Sequence, residues 1–143
     1  MKPSLNQQHP TVTIDSERLV PAQRSFNASL IEYAGRQLMA YRSHTLAREW
    51  CTLHIATLGP DWQPVDDVQI DVPMIDADNG NLEDPRLFHG PAGTLWLAWT
   101  EAVYRTGNWT CVQRYGQLVL DRWKVINPQT PRYGRNDGSD KEK

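Results

Sequence analysis

Long apolar runs are missing from this chain of 143 residues. No stretch approaches the length of a membrane-spanning helix, so membrane insertion by that route is not expected. Clusters of lysine and arginine are missing as well. The formal net charge is -2, which gives no case for nucleic acid or another polyanion as partner. Only two cysteines occur, Cys51 and Cys111. Met1 to Pro10 are polar, so no secretory signal is expected, and free thiols in a cytoplasmic protein are the corresponding expectation. The sequons Asn27-Ala28-Ser29 and Asn108-Trp109-Thr110 are then accidental. Sustained helical periodicity is absent, with only Ser43 to Glu49 helix-like.

What the chain does have is tryptophan, six in all: Trp50, Trp62, Trp96, Trp99, Trp109 and Trp123. All lie in or beside strand-like segments, where large rings packed between sheets are a common core device. One or two could stack on sugar rings. The length predicts one domain with a real core.

The sequence also repeats itself. Phe26-Asn27-Ala28-Ser29-Leu30-Ile31, Gly35 and Gln37 to Arg42 correspond to Glu83-Asp84-Pro85-Arg86-Leu87-Phe88, Gly93 and Thr94 to Thr100, at a shift of about 57 to 58 residues. Further on, Trp50-Cys51-Thr52-Leu53 matches Trp109-Thr110-Cys111-Val112, and Trp62 matches Trp123. Loop insertions account for the upward drift. The first unit offers strands at Ser29 to Tyr33, Gln37 to Arg42, Cys51 to Leu58 and Val65 to Ile70. The second offers Leu87 to His89, Thr94 to Val103, Trp109 to Tyr115 and Leu118 to Val125. Four short strands per unit at this period predict an all-β fold of two four-stranded antiparallel propeller blades, at 17–75 and 82–128. An arm at 1–16 and a polar tail at 129–143 flank them. A small sandwich of two four-stranded sheets is the alternative. Two blades do not close a propeller, so a large apolar blade face is expected on each side, to be covered by other copies, by a complementing propeller chain, or by further blades of a longer protein of which this is a truncated piece.

Glu83-Asp84-Pro85-Arg86 runs directly into the apolar Leu87-Phe88. Pro85 cannot donate to a sheet ladder, and it predicts an extended Asp84. Such a loop aims a carboxylate and a guanidinium from one place, which suits polar-substrate chemistry. Arg42 lies in an otherwise apolar strand and should meet a carboxylate, with Glu83 or Asp84 the natural candidates.

These segments resemble the five-bladed β-propeller glycosidases and glycoside phosphorylases, most closely glycoside hydrolase family 130, which acts mainly on β-mannosides. Phe26 to Leu30 looks like the family's opening strand and Leu38 to Arg42 like its arginine-ending strand. Glu83 to Phe88 looks like the acidic motif, and Lys141-Glu142-Lys143 like the lead into a third blade. The resemblance covers roughly residues 17 to 143, the first two blades of a partial propeller. It implies that Asp84 is the proton donor, that Arg86 contacts substrate or anion, and that Asn27 and Arg42 line the same channel mouth, with Glu83 beside them. It implies no metal or organic cofactor, and inorganic phosphate as a co-substrate if the reaction is phosphorolysis. The basic residues that later blades supply in the family have no counterpart here.

Glycoside cleavage needs an acid for the departing oxygen and an attacker at the anomeric carbon. In inverting hydrolysis the attacker is water, activated by a second carboxylate about 6.5 to 9.5 Å from the first. In phosphorolysis it is phosphate, which needs cations. The bland reading of Asp84 and Arg86 is a salt bridge at the head of a strand. Glu101, near the place Arg42 takes in the first unit, is either a sugar ligand or a solvated strand end. His44, His54 and His89 do not fall at metal-ligand spacing. His54 reads as an ordinary strand residue; His89 is a turn residue that could touch a ligand. Asp76 to Asn81 has the look of a calcium loop but lacks the distal glutamate and flanking helices. The sequence leaves three functions open: a carbohydrate-active enzyme unit, a non-catalytic sugar-binding module, and an interaction module built on open blade edges.

Overall fold

The computed structural model describes residues 25–44 and 51–131. Eight strands follow one another: β1 (Ser25–Tyr33), β2 (Arg36–His44), β3 (Cys51–Leu58), β4 (Pro64–Gln69), β5 (Gly80–His89), β6 (Leu95–Arg105), β7 (Asn108–Val119) and β8 (Lys124–Gln129). They form two four-stranded antiparallel sheets, each in the order of the chain, β1 to β4 and β5 to β8. The fold is all-β, and the sheets are not closed. Among the described residues no helix is long and apolar enough to cross a membrane. Ser43 and His44 complete β2, while 45–49, Trp50, the arm at 1–16 and the tail from 132 lie outside the described residues.

Left-handed backbone positions mark the repeat. Asn27 (φ 55°) and Asp84 (φ 49°) sit at equivalent places, each within a register shift of the first strand of its sheet. Ala34-Gly35 and Ala92-Gly93 both turn with positive φ between first and second strands. Trp62 (φ 61°) and Trp123 (φ 49°) both precede the fourth strand. A left-handed Trp or Ala costs on the order of 1–2 kcal/mol, so shared outliers of this kind signal duplicated backbone geometry.

Cross-strand register corrects two details. Ala40 faces Ile55 across β2 and β3, and Ala98 faces Tyr115 across β6 and β7. Ile55 and Tyr115 are therefore equivalent, a shift of about 60, so the Trp50–Trp109 match is one residue out of step. Such a slip exchanges the faces of a strand. The fourth strand of the second unit is also not Leu118 to Val125. Leu118 ends in β7, a single 3₁₀ turn at Leu120–Arg122 intervenes, and the last strand is β8. Leu118 and Val125 are both buried in the core, but from different strands.

One core lies between the sheets. Leu38, Ala40, Leu53 and Ile55 of the first pack against Leu82, Leu87, Leu95, Leu97, Trp99, Leu118 and Val125 of the second. Each large side chain buried this way contributes about 1.5–3 kcal/mol. The facing surfaces are not equivalent in the repeat. Leu38 and Ala40 correspond to Trp96 and Ala98, which alternate away from the core, whereas Leu97 and Trp99 correspond to Met39 and Tyr41 on the far face of the first sheet. Stacking front to back distinguishes successive propeller blades from a self-complementary sandwich. The far face of the first sheet is itself buried at Met39, Tyr41, Ala56 and Leu58.

Candidate functional site

The acidic segment does not head a strand. It lies inside β5, where the register with β6 shifts between Glu83 and Arg86. Pro85 takes the unpaired position of this bulge and is fully buried, as a residue without an N–H can be there. Asp84 is left-handed rather than extended as the proline alone predicts. Aspartate tolerates that region, and the bulge overrides the pre-proline preference. The equivalent bulge in β1 gives Asn27 the same conformation. Two short polar side chains from two blades are thereby turned toward each other, and Asn27 Nδ2 donates to Asp84 Oδ1.

The other expected residues gather around this contact. Arg42 Nη1 lies 3.2 Å from Glu83 Oε2 and 3.9 Å from Asp84 Oδ1, so the strand arginine does meet both acids. Glu83 is held from its other oxygen by Asn81 Nδ2 at 2.8 Å. Asn81 Oδ1 in turn accepts from the backbone N–H of Cys51 at 2.5 Å. Arg86 donates through Nη1 to the Pro85 carbonyl at 2.8 Å and to the Asn27 carbonyl at 3.4 Å. It makes no salt bridge with Asp84 among the described residues. Ser29 Oγ accepts from the Leu87 N–H at 3.0 Å, one more stitch between the blades. Asn27, Arg42, Glu83, Asp84 and Arg86 thus form one cluster where β1, β2 and β5 meet.

Asp84 is its open end. Its side chain is 45% exposed, against 29% for Glu83 and 18% for Arg42, and its Oδ2 takes no bond from the described residues. Cys51 lies at the buried end. Burial pushes its thiol above the ordinary range and Glu83 adds to this, while Arg42 and the Asn81 bond oppose it. Beyond Cys51 a cleft of about 360 Å³ opens toward Gln69, Met74 and Ala77; Asp84 is not part of it. Both cysteines are free thiols, Cys111 exposed on β7.

Glu101 does not join the cluster, and it is not a solvated strand end. It is fully buried between sheet and loop. Its Oε1 accepts from the Ile75 and Asp76 N–H groups at 2.6 and 3.0 Å, and its Oε2 pairs with Arg114 Nη1 at 3.1 Å. Gly80 gives it room: a Cβ there would come within 2.4 Å of the Asp76 carbonyl. Glu101 therefore buckles the loop between the sheets. In that loop Asp76 is bonded to Asn79 and Arg105, and these contacts hold its carboxyl below the usual range.

His44 ends β2, and His89 ends β5 with its ring tilted on Tyr33. His54 belongs to a group that the sequence did not announce. On the far face of the first sheet its ring stacks on Tyr41, its Nδ1 lies 3.7 Å from Asp67 Oδ1, and Tyr41 Oη donates to Asp67 Oδ2 at 2.5 Å. Burial first, then Asp67, holds the Tyr41 hydroxyl far above its ordinary range. Asn81 and Ser29 were missed too. Their only signal was position: Asn81 is two residues before Glu83, on the same side of the strand.

Comparison of the chain with protein-family models, with curated proteins and with solved structures finds no match.

Proposed function

We propose that this chain is a carbohydrate-active propeller unit of the glycosidase or glycoside phosphorylase type, recognising β-mannosides or related glycosides. The observation that carries the reading is the meeting of Asn27 and Asp84, from paired bulges of two blades, within a cluster that includes Arg42, Glu83 and Arg86. Alternating amide, carboxylate and guanidinium groups match the hydroxyls of a sugar, which both donate and accept. Asp84, with one oxygen anchored and the other open, is the group set to reach a glycosidic oxygen, and Arg86 is its exposed neighbour.

One observation favours a second reading, sugar binding without turnover. Both oxygens of Glu83 are engaged, and Arg42 is matched by two acids, so the described cluster holds no spare carboxylate for water and, for phosphate, only Arg86 as a cation without an acid partner. Incubation with β-linked mannobiose, with and without inorganic phosphate, separates the two. The enzyme reading expects mannose or mannose 1-phosphate, abolished by Asp84→Asn. Saturable binding by calorimetry, retained in Asp84→Asn and without product, establishes the second. Neither product nor binding would remove the carbohydrate reading altogether.

A further inference from the structure

Asn81, buried on β5, joins the acidic segment to the first blade through both ends of its amide. Its Oδ1 accepts from the Cys51 N–H that opens β3, at 2.5 Å, and its Nδ2 donates to Glu83 Oε1 at 2.8 Å. The partners fix this orientation, because a backbone N–H can only donate and an ionised carboxylate can only accept. An aspartate in the same place would keep the first bond and lose the second. Glu83 is the member of the cluster that needs such a hold. It is partly exposed, and its other oxygen lies 3.2 Å from Arg42 Nη1. Of the acids among the described residues Asp84 comes next, with Oδ1 at 3.9 Å from the same nitrogen. The Arg42 side chain is mostly buried, where a guanidinium that loses its partner is costly and closes on the nearest acid. With Glu83 held, Arg42 stays with Glu83 and Asp84 keeps the looser contact. With Glu83 released, Arg42 moves to Asp84.

We infer that Asn81 is a positioning residue for Asp84: by holding Glu83 against Arg42 it keeps the guanidinium from capturing the acid of the site. The inference rests on the enzyme reading of the cluster. In that reading Asp84 gives a proton from Oδ2 to the glycosidic oxygen as the bond from the anomeric carbon to that oxygen breaks, and water or inorganic phosphate bonds to the carbon. A carboxylate closed into an ion pair is stabilised without its proton and cannot supply one. Asn81 itself touches no substrate and acts through Glu83 and Arg42. Its bond to Cys51 has a different task, which is to set the start of β3 beside the cluster.

Leaving groups that differ in their need for a proton test it. Turnover of β-linked mannobiose is compared with that of 2,4-dinitrophenyl β-mannoside, whose phenolate departs unprotonated, each with and without inorganic phosphate. Asn81→Asp should lower kcat on mannobiose by roughly tenfold or more, a part of what an acid contributes, with KM little changed. On the aryl glycoside the same variant should stay within about threefold of wild type. Glu83→Gln keeps an acceptor for Asn81 but takes the charge from beside Arg42, so it should show the same split between substrates. It also keeps the test decisive if Asn81→Asp fails to fold, which circular dichroism checks. The double variant should be no worse than the worse single one, as expected of residues acting in one chain of contacts. Equal losses on both substrates, a loss carried by KM alone, or an Asn81→Asp variant as active as wild type on mannobiose would overturn the inference and leave the enzyme reading standing. A wild type active on the aryl glycoside alone would overturn it too, since no acid would be at work. A wild type inactive on both substrates removes the enzyme reading, and this inference with it.

Discussion

The two sheets keep one frame and fill it differently. Tyr41 on β2 faces His54 on β3, ring on ring; at the equivalent place Trp99 on β6 faces Arg114 on β7, whose guanidinium lies 5.5 Å from the indole centroid. Each pair is completed by a buried carboxylate. In the first sheet Asp67 arrives from the edge strand β4; in the second, Glu101 comes from β6 itself. An aromatic ring and a nitrogen group are therefore held at matching positions by different residues, and the acid that completes each pair comes from a different strand. What persists between the units is backbone geometry and the pairing of polar groups, while residue identity is free to change. Only the second version is tied to a loop, and only the first lies on a face away from the blade interface.

That difference can be tested by breaking each trio. Glu101→Ala should have the largest effect, about 3–5 kcal/mol in urea denaturation, because it strands a buried Arg114 and uncovers two loop N–H groups. A loss under about 1 kcal/mol would mean that the loop does not depend on this residue. Tyr41→Phe should cost less, about 1–3 kcal/mol, by taking a donor from Asp67. It should also alter the alkaline limb. The folded hydroxyl stays protonated above the ordinary tyrosine value of about 10, whereas the unfolded one ionises there, so stability is lost as pH rises past that value. Thermal melts between neutral pH and pH 11 should show a shallower decline in the phenylalanine variant.

The paired bulges sharpen the comparison from the side of likeness. Alanine at Asn27 or at Asp84 should each cost about 1–2 kcal/mol more than glycine at the same position, because both residues are left-handed. Unequal penalties would show that the two bulges do not carry equal strain. Smallest of all is the Asp76–Arg105 contact at the loop surface. The depressed Asp76 carboxyl contributes stability above the ordinary value of about 3.8 and loses it as pH falls through its folded range. Asp76→Asn should therefore shift the melting temperature slightly at neutral pH and not at all in strong acid.

Much of this was legible beforehand because a repeat with a polar leading end must bring those ends together when its units stack. Asn27, Arg42, Glu83, Asp84 and Arg86 converge for that reason. Register was harder to read. Ala40 pairs with Ile55, 15 residues on, whereas Ala98 pairs with Tyr115, 17 residues on, so the second unit carries two extra residues here and matching tryptophans by eye misplaces a strand by one residue. The bulge at Asp84 arises from pairing across β5 and β6, which no local preference of an Asp-Pro step encodes. Glu101 looked like a strand end because the loop that covers it is distant in sequence and polar in composition. The Tyr41–His54–Asp67 group was hidden for a related reason: three strands contribute one residue each.

The segment leaving the first sheet passes alongside β8, where the Asp71 N–H donates to Trp123 O and the Asp71 carbonyl accepts from Val125 N–H, both at 2.9 Å. This connector is thus fastened to a strand that leaves the ribosome some fifty residues later. The early sheet can form its hairpins while the chain is still growing, but its anchorage waits for the later one. Nascent chains arrested before Trp123 emerges should be open to protease near Asp71, and those arrested well after it should be protected.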